Sequence, residues 1–207
     1  METTAQLLGE PLPVELMNTI WADRDGVHDA LADPDGTRAW LRAVAPRIAL
    51  LADHDLAGIT AADTADLAGR LVLLRDALRR LAAEATGDPR TAAASAIRER
   101  DAAIAAVNQA AGAVPTWSAL TWVAGEAPVR HVRTQGHAAG AAVSAIAEEA
   151  IGMFSRGDEA GLRACLAPGC VLYFVKDHPR REWCSPSCGN RARSARHYRR
   201  HRTGGSD

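Results

Sequence analysis

Apolar residues recur every three to four positions along much of the chain, a period that predicts helices. Val14, Leu16, Met17 and Ile20 begin a short helical pattern within residues 14–31. Asp33-Pro34-Asp35-Gly36 forms a turn whose aspartate can cap a following helix that carries Trp40, Leu41 and Val44. From Thr60 to Glu84, Leu67, Leu71, Leu74, Leu78 and Leu81 fall on one face of a long amphipathic helix, broken by Gly87-Asp88-Pro89. A second, alanine-rich helix is predicted over 90–111, with Ile97, Ile104 and Val107 on its apolar side.

Beyond Gly112 the period shortens to two. Residues 115–123 alternate and are rich in β-formers, predicting a strand, and 129–132 can pair with it across residues 124–127. A further helix over 140–156 carries Val143, Ile146, Ile151 and Phe154 and stops at Gly157-Asp158. Residues 1–157 therefore read as a mainly α domain with a small β-hairpin, an α+β arrangement.

Charge divides the chain at nearly the same place. The formal net charge of −1 over 207 residues combines −7 for residues 1–164 with +6 for residues 165–207. All four cysteines lie between positions 165 and 188. Two parts are expected, a helical domain over 1–157 and a cysteine-bearing basic domain over 158–207. Met1-Glu2-Thr3-Thr4 lacks the start of a secretory signal, and no run approaches the roughly 18 apolar residues that span a bilayer. A cytoplasmic protein without membrane association is expected. Clustered cysteines in that reducing compartment point to metal ligands or redox groups rather than structural disulfides. The arginine bias (Lys176 is the only lysine) and the alanine content fit a GC-rich bacterial genome.

The cysteine spacing is Cys165-x4-Cys170-x13-Cys184-x3-Cys188. Two close pairs joined by a short spacer can place four thiolates around one tetrahedral ion. Ser185 can cap a helix whose first position suits Pro186, leaving Cys188 in its first turn facing Cys184. Residues 171–175 read as a strand, 176–179 as a turn and 181–183 as a return strand. Knuckle, hairpin and helix together give a treble-clef-like site for one structural Zn²⁺ held by Cys165, Cys170, Cys184 and Cys188. So small a segment needs metal to fold. A redox pair of Cys184 with Cys188 and an iron–sulfur cluster use the same residues, and His178 offers an alternative ligand.

The run Arg180-Arg181-Glu182-Trp183-Cys184-Ser185-Pro186-Ser187-Cys188-Gly189-Asn190-Arg191 resembles the CGNR-type zinc finger, as do Cys165, Cys170 and the apolar strand through Phe174. The turn Val175-Lys176-Asp177-His178-Pro179 departs from that family's usual pattern. Leu16-Met17-Asn18-Thr19, Asp33-Pro34 and Ala39-Trp40-Leu41 resemble the ABATE domain that precedes this finger in a family of stress-induced transcription regulators of actinobacteria. The resemblance implies one structural zinc and a role in transcription.

Residues 186–202, placed on a helical wheel with Cys188 toward the metal, bring Ala192, Ala195 and the stem of Arg199 to the same side. Asn190, Arg193, Arg196, His197, Arg200 and His201 then face outward. Arginine and asparagine can make bidentate bonds to guanine and adenine in a major groove. With Arg180, Arg181 and Arg191 suited to phosphates, double-stranded DNA is the expected partner. One zinc with four thiolates contributes −2, leaving this part at about +4. Specificity from one finger calls for a homodimer reading two half-sites. Asn18, Trp21, Trp40 and Trp117 are candidates to bind a small-molecule effector, with Trp122 a further pocket candidate. His131 with His137, and Asp53-His54-Asp55, are weaker metal or effector clusters. No catalytic motif stands out, so a non-enzymatic regulator is expected. The rival readings are a zinc-stabilised module docking an acidic protein and an enzyme using an N-terminal cleft.

Overall fold

The chain opens into helix α1 (Leu12–Met17), every residue of which is buried. The helical pattern stops at Asn18, and Ile20–Ala22 (β1) pairs antiparallel with Val27–Asp29 (β2). Periodicity alone missed this hairpin, whose turn is set by Asp23, which accepts from the Asp25 amide at 2.8 Å, and by Gly26 at φ 131°. This computed structural model describes residues 7–51 and 59–203, with side chains through residue 200. Asp53-His54-Asp55 and the side chain of His201 lie outside the described residues.

Helix α2 (Pro34–Val44) begins as expected, with the Gly36 amide donating to Asp33 Oδ1 at 2.7 Å. Asp33→Ala removes that cap and is expected to cost about 1 kcal/mol in urea denaturation without changing the slope. Helix α3 (Ala61–Thr86) starts in a reciprocal capping box between Thr60 and Asp63 and ends at left-handed Gly87, φ 59°. Its leucine face packs against α1 and α2. It also meets α4 (Arg100–Gly112) and α5 (Ala138–Ser155). Trp40, Leu16, Met17, Leu71, Leu74, Leu78 and Ile146 fill the common core.

Helix α4 starts ten residues later than its alanine-rich sequence predicts. Side chains on α3 capture the backbone ahead of it. The Ala93 carbonyl accepts from Arg79 Nε and Nη2 at 3.1 and 2.9 Å, and the Arg98 carbonyl from Arg80 at 2.7 Å. Ser95 donates to the Asp76 carbonyl at 2.7 Å. These bonds to α3 hold residues 93–98 out of helical geometry, and Ala93 adopts φ 55°.

The predicted hairpin forms as β3 (Thr116–Thr121) and β4 (Val129–Thr134), with Trp117 opposite Arg133 and Ala119 opposite His131. It stands largely in solvent, leaving Trp117, Leu120, Trp122, Val123 and Val129 exposed. After α5, β5 (Leu162–Ala164) pairs antiparallel with β6 (Tyr173–Val175). The expected return strand over 181–183 is not formed. Leu162 and Tyr173 instead bury against the helical core, and the chain turns at residue 178, whose carbonyl accepts from the Arg181 amide at 2.9 Å. Helix α6 (Pro186–Thr203) completes the described chain. The result is mainly α with three two-stranded antiparallel ribbons among the described residues. No helix there is long and apolar enough to cross a membrane.

Candidate metal centre and basic helix

The β5–β6 connection presents Cys165 and Cys170, tightened by bonds from the Cys165 amide to the Leu172 carbonyl and from the Cys170 amide to the Ala167 carbonyl, both 2.9 Å. Cys184 precedes α6 and Cys188 lies in its first turn. Ser185 caps this helix, receiving the Cys188 amide on Oγ at 3.3 Å and the Gly189 amide on its carbonyl at 3.2 Å. All four thiols are buried and unbridged. Their sulfurs lie within 4.8 Å of one another, with Cys184–Cys188 at 3.4 Å and Cys170–Cys184 at 3.8 Å. A tetrahedron with bonds of about 2.3 Å to sulfur has edges of about 3.8 Å, so the donor set fits one zinc ion.

Their mutual hydrogen bonds pull the thiols apart in acidity. Those from Cys165, Cys170 and Cys184 lower Cys188, and those from Cys170 and Cys184 bring Cys165 to about 7. Bonds involving Cys165 push Cys170 and Cys184 upward. A divalent cation at the centre lets all four ionise together.

The residues after Cys188 have separate physical tasks. A Cβ on Gly189 would stand 3.1 Å from Trp183 Cδ1, so glycine lets the indole close over the cluster. Asn190 is exposed and accepts from Arg193 Nη2. Arg191 donates to Cys188 Sγ at 2.9 Å, and this contact raises its own basicity. Arg191 thus balances thiolate charge while its side chain remains at the surface.

Further along α6, Ala192 is buried and Ala195 half-buried, while Arg193, Arg196, His197 and Arg200 are exposed. Ala192 and Ala195 thus lie on the expected inward side, whereas Arg199, also expected there, is exposed. Arg180 is exposed, but Arg181 turns inward. It binds Glu10, donates to the Val175 carbonyl at 3.0 Å and covers the Phe174 ring at 5.1 Å. Arg181 does not join the outward basic face.

The effector candidates separate. Asn18 and Trp21 line a cleft of about 440 Å³ beside Cys188 and Arg191. Both hydrogen-bonding ends of the Asn18 amide are used, donating to the Tyr173 carbonyl and accepting its amide, each at 2.9 Å. Trp21 stacks on His28 at 5.2 Å. Trp40 is 1% exposed in the core with its indole N–H unpartnered, and Trp117 stands on the solvated hairpin with Trp122. The four candidates do not form one pocket, because apolar burial claims Trp40 and the ribbon carries Trp117 away. His131 is likewise exposed on that ribbon.

The polar residues that seat the metal loop were not singled out in the sequence. Arg90 Nη1 donates to the carbonyls of Cys165, Cys170 and Leu172 at 3.0, 3.1 and 3.2 Å. Asp88 holds Arg90 at 2.6 Å and accepts from Tyr173 Oη at 2.7 Å. Burial first, then the bond to Asp88, pushes the Tyr173 phenol to about 12. Burial opposes ionisation of Asp88, but hydrogen bonds from Arg90 outweigh it and lower the carboxyl. Glu10 accepts the Val175 amide at 2.8 Å, and burial raises its pKa above the ordinary carboxylate value despite Arg181. One signal was available: Arg75 and Arg79 interrupt the leucine face of α3 at i,i+4 spacing, where a charge needs a specific partner.

Two family models match the chain. The CGNR zinc finger covers residues 162–201, and ABATE, described as "Putative stress-induced transcription regulator", covers residues 10–157. No curated protein matches.

Proposed function

The chain belongs to the ABATE family and carries a CGNR zinc finger, and from that premise we propose that it regulates transcription by binding double-stranded DNA through α6. The division at residues 157 and 158 assigns sensing and dimerisation to the first part and DNA contact to the second. One observation carries the reading: α6 turns Cys188 and Ala192 inward and presents Asn190, Arg193, Arg196, His197 and Arg200 on its exposed side. The zinc is structural, since four protein thiolates leave no open coordination position. Its task is to fix the first turn of a helix that could not hold its orientation alone.

Arg193, Arg196 and Arg200 supply phosphate or guanine contacts, and Asn190 lies near the helix end from which base edges are commonly reached. Replacing Arg193 and Arg200 together with alanine is expected to leave zinc content unchanged while weakening DNA binding at least tenfold. The log–log salt slope becomes shallower by about two if both contact phosphates. An unchanged slope and affinity in a fluorescence-anisotropy salt titration would overturn the assignment of this face.

The β3–β4 ribbon supplies the dimer surface. Five of the nine large exposed apolar side chains among the described residues lie on its strands or in the connection between them. A two-stranded ribbon with so little cover gains stability when another surface packs on it. A second copy also provides the two-fold spacing that a palindromic site requires.

A further inference from the structure

The segment between α3 and α4 folds back over the end of α3 and encloses a cavity of about 290 Å³. Four arginines line it, Arg79, Arg80, Arg90 and Arg98, against one carboxylate, Asp88. Two of these cations are paired: Arg90 with Asp88 at 2.6 Å and Arg80 with Glu84 at 2.9 Å. Arg79 is 3% exposed, and its bonds run to the carbonyls of Met17, Ala93 and Val171. Among the described residues no carboxylate lies within ion-pair distance of it. Arg98 is exposed at the rim.

Apart from Ser95, the remaining lining side chains are alanines, Ile97 and Tyr173. The Tyr173 ring lies under the guanidinium groups of Arg79 and Arg90 at 5.2 and 5.0 Å, and alanines and Ile97 form the sides. Ala93 is held in the left-handed region at φ 55°, a conformation that a non-glycine residue keeps only when its surroundings impose it. Here Arg79 imposes it by binding the Ala93 carbonyl twice. Excess positive charge beside a small, largely apolar space attracts a compact molecule with one acidic group.

We propose that this cavity binds a small organic anion, its acidic group at Arg98 and Arg80 and its apolar part against Ile97 and the alanine wall. The site rests on the sensing half of the reading above and gives it a ligand class. It also has a route to the metal: Arg90, Asp88 and Tyr173 border the cavity and hold the Cys165–Cys170 loop. Ligand that shifts Arg90 alters the three carbonyl bonds that seat that loop.

The test uses full-length zinc-loaded protein and two dyes of nearly equal shape, 1-anilinonaphthalene-8-sulfonate and its uncharged parent N-phenyl-1-naphthylamine. Saturable binding of one sulfonate per chain is expected, at least tenfold tighter than the parent. Arg98→Glu should weaken it about tenfold with zinc content unchanged. Ala94→Phe, which fills the cavity without altering charge, provides a second variant and should abolish binding. Equal affinity for the two dyes, or sulfonate binding that survives both substitutions, overturns the site. DNA affinity measured with the dye bound separates the two readings. A shift supports sensing through this cavity, whereas unchanged DNA affinity overturns sensing and leaves the anion site standing.

Discussion

Cys188→Ser is expected to reduce bound zinc from one equivalent to none and to unfold α6 while the helical body stays folded. The small core around the metal contains six buried residues, and four are the cysteines themselves. With the metal gone, Ala167, Phe174 and the partly buried Leu8, Leu172 and Trp183 remain, too little apolar surface to fix a helix. Helix α6 is 18 residues long and strongly polar, and its ties to the cluster lie in its first two turns, through Cys188 and Arg191. An isolated helix of that length and composition is marginal in water. The β5–β6 ribbon behaves differently, because Leu162 and Tyr173 belong to the main core and Asn18 grips Tyr173 on both sides of its peptide group. Hydrogen exchange should therefore show fast exchange from about residue 184 onward, with protection kept in α3, α5 and β6. Elemental analysis that still finds one equivalent of zinc would refute the four-thiolate site.

Arg90→Ala carries the second large effect. It removes three hydrogen bonds to the metal loop and strands Asp88, whose side chain is 4% exposed. Breaking a buried pair by deleting one member costs about 3–5 kcal/mol, which for a chain of this size lowers the melting temperature by about 10 °C. The acid response also reverses sign. In the native protein the Asp88 carboxyl lies below its ordinary value of 3.8, so its stabilising contribution is present above that pH and fades as pH falls through the lowered value. Without Arg90, burial dominates and raises the carboxyl, so protonation then favours the folded state. Asp88→Asn, which removes the charge at neutral pH, should accordingly recover part of the loss in the Arg90→Ala background. A double variant no more stable than the single one would show that Asp88 is not the stranded charge.

Several elements were legible because local chemistry decides them. Asp33 and Thr60 cap helices where their side chains can reach amides three residues on, and Gly87 ends α3 in a conformation that glycine adopts readily. The four metal ligands were legible for the same reason: a tight loop and the first turn of a helix fix sulfur positions within a few residues. The inward and outward faces of α6 followed from helical rotation once Cys188 was placed. Residues 90–99 depart from the predicted helix because their alanine-rich composition is overridden by bonds that Arg79, Arg80 and Ser95 form between this segment and α3. Charge and position alone suggest phosphate contact for Arg181, yet Glu10, 171 residues away, draws it inside.

By itself the sequence determined the periodic helices, their caps, the zinc ligands and the cationic face of α6, all set by residues within a few turns of one another. The tertiary structure decided what each charge is for. Asn18, Arg79, Asp88 and Arg90 serve the metal loop because α1 is packed beside β6 and α3 beside β5, bringing buried polar groups to backbone partners. A buried charge must find a partner, and one far away in sequence is chosen only when the core has formed.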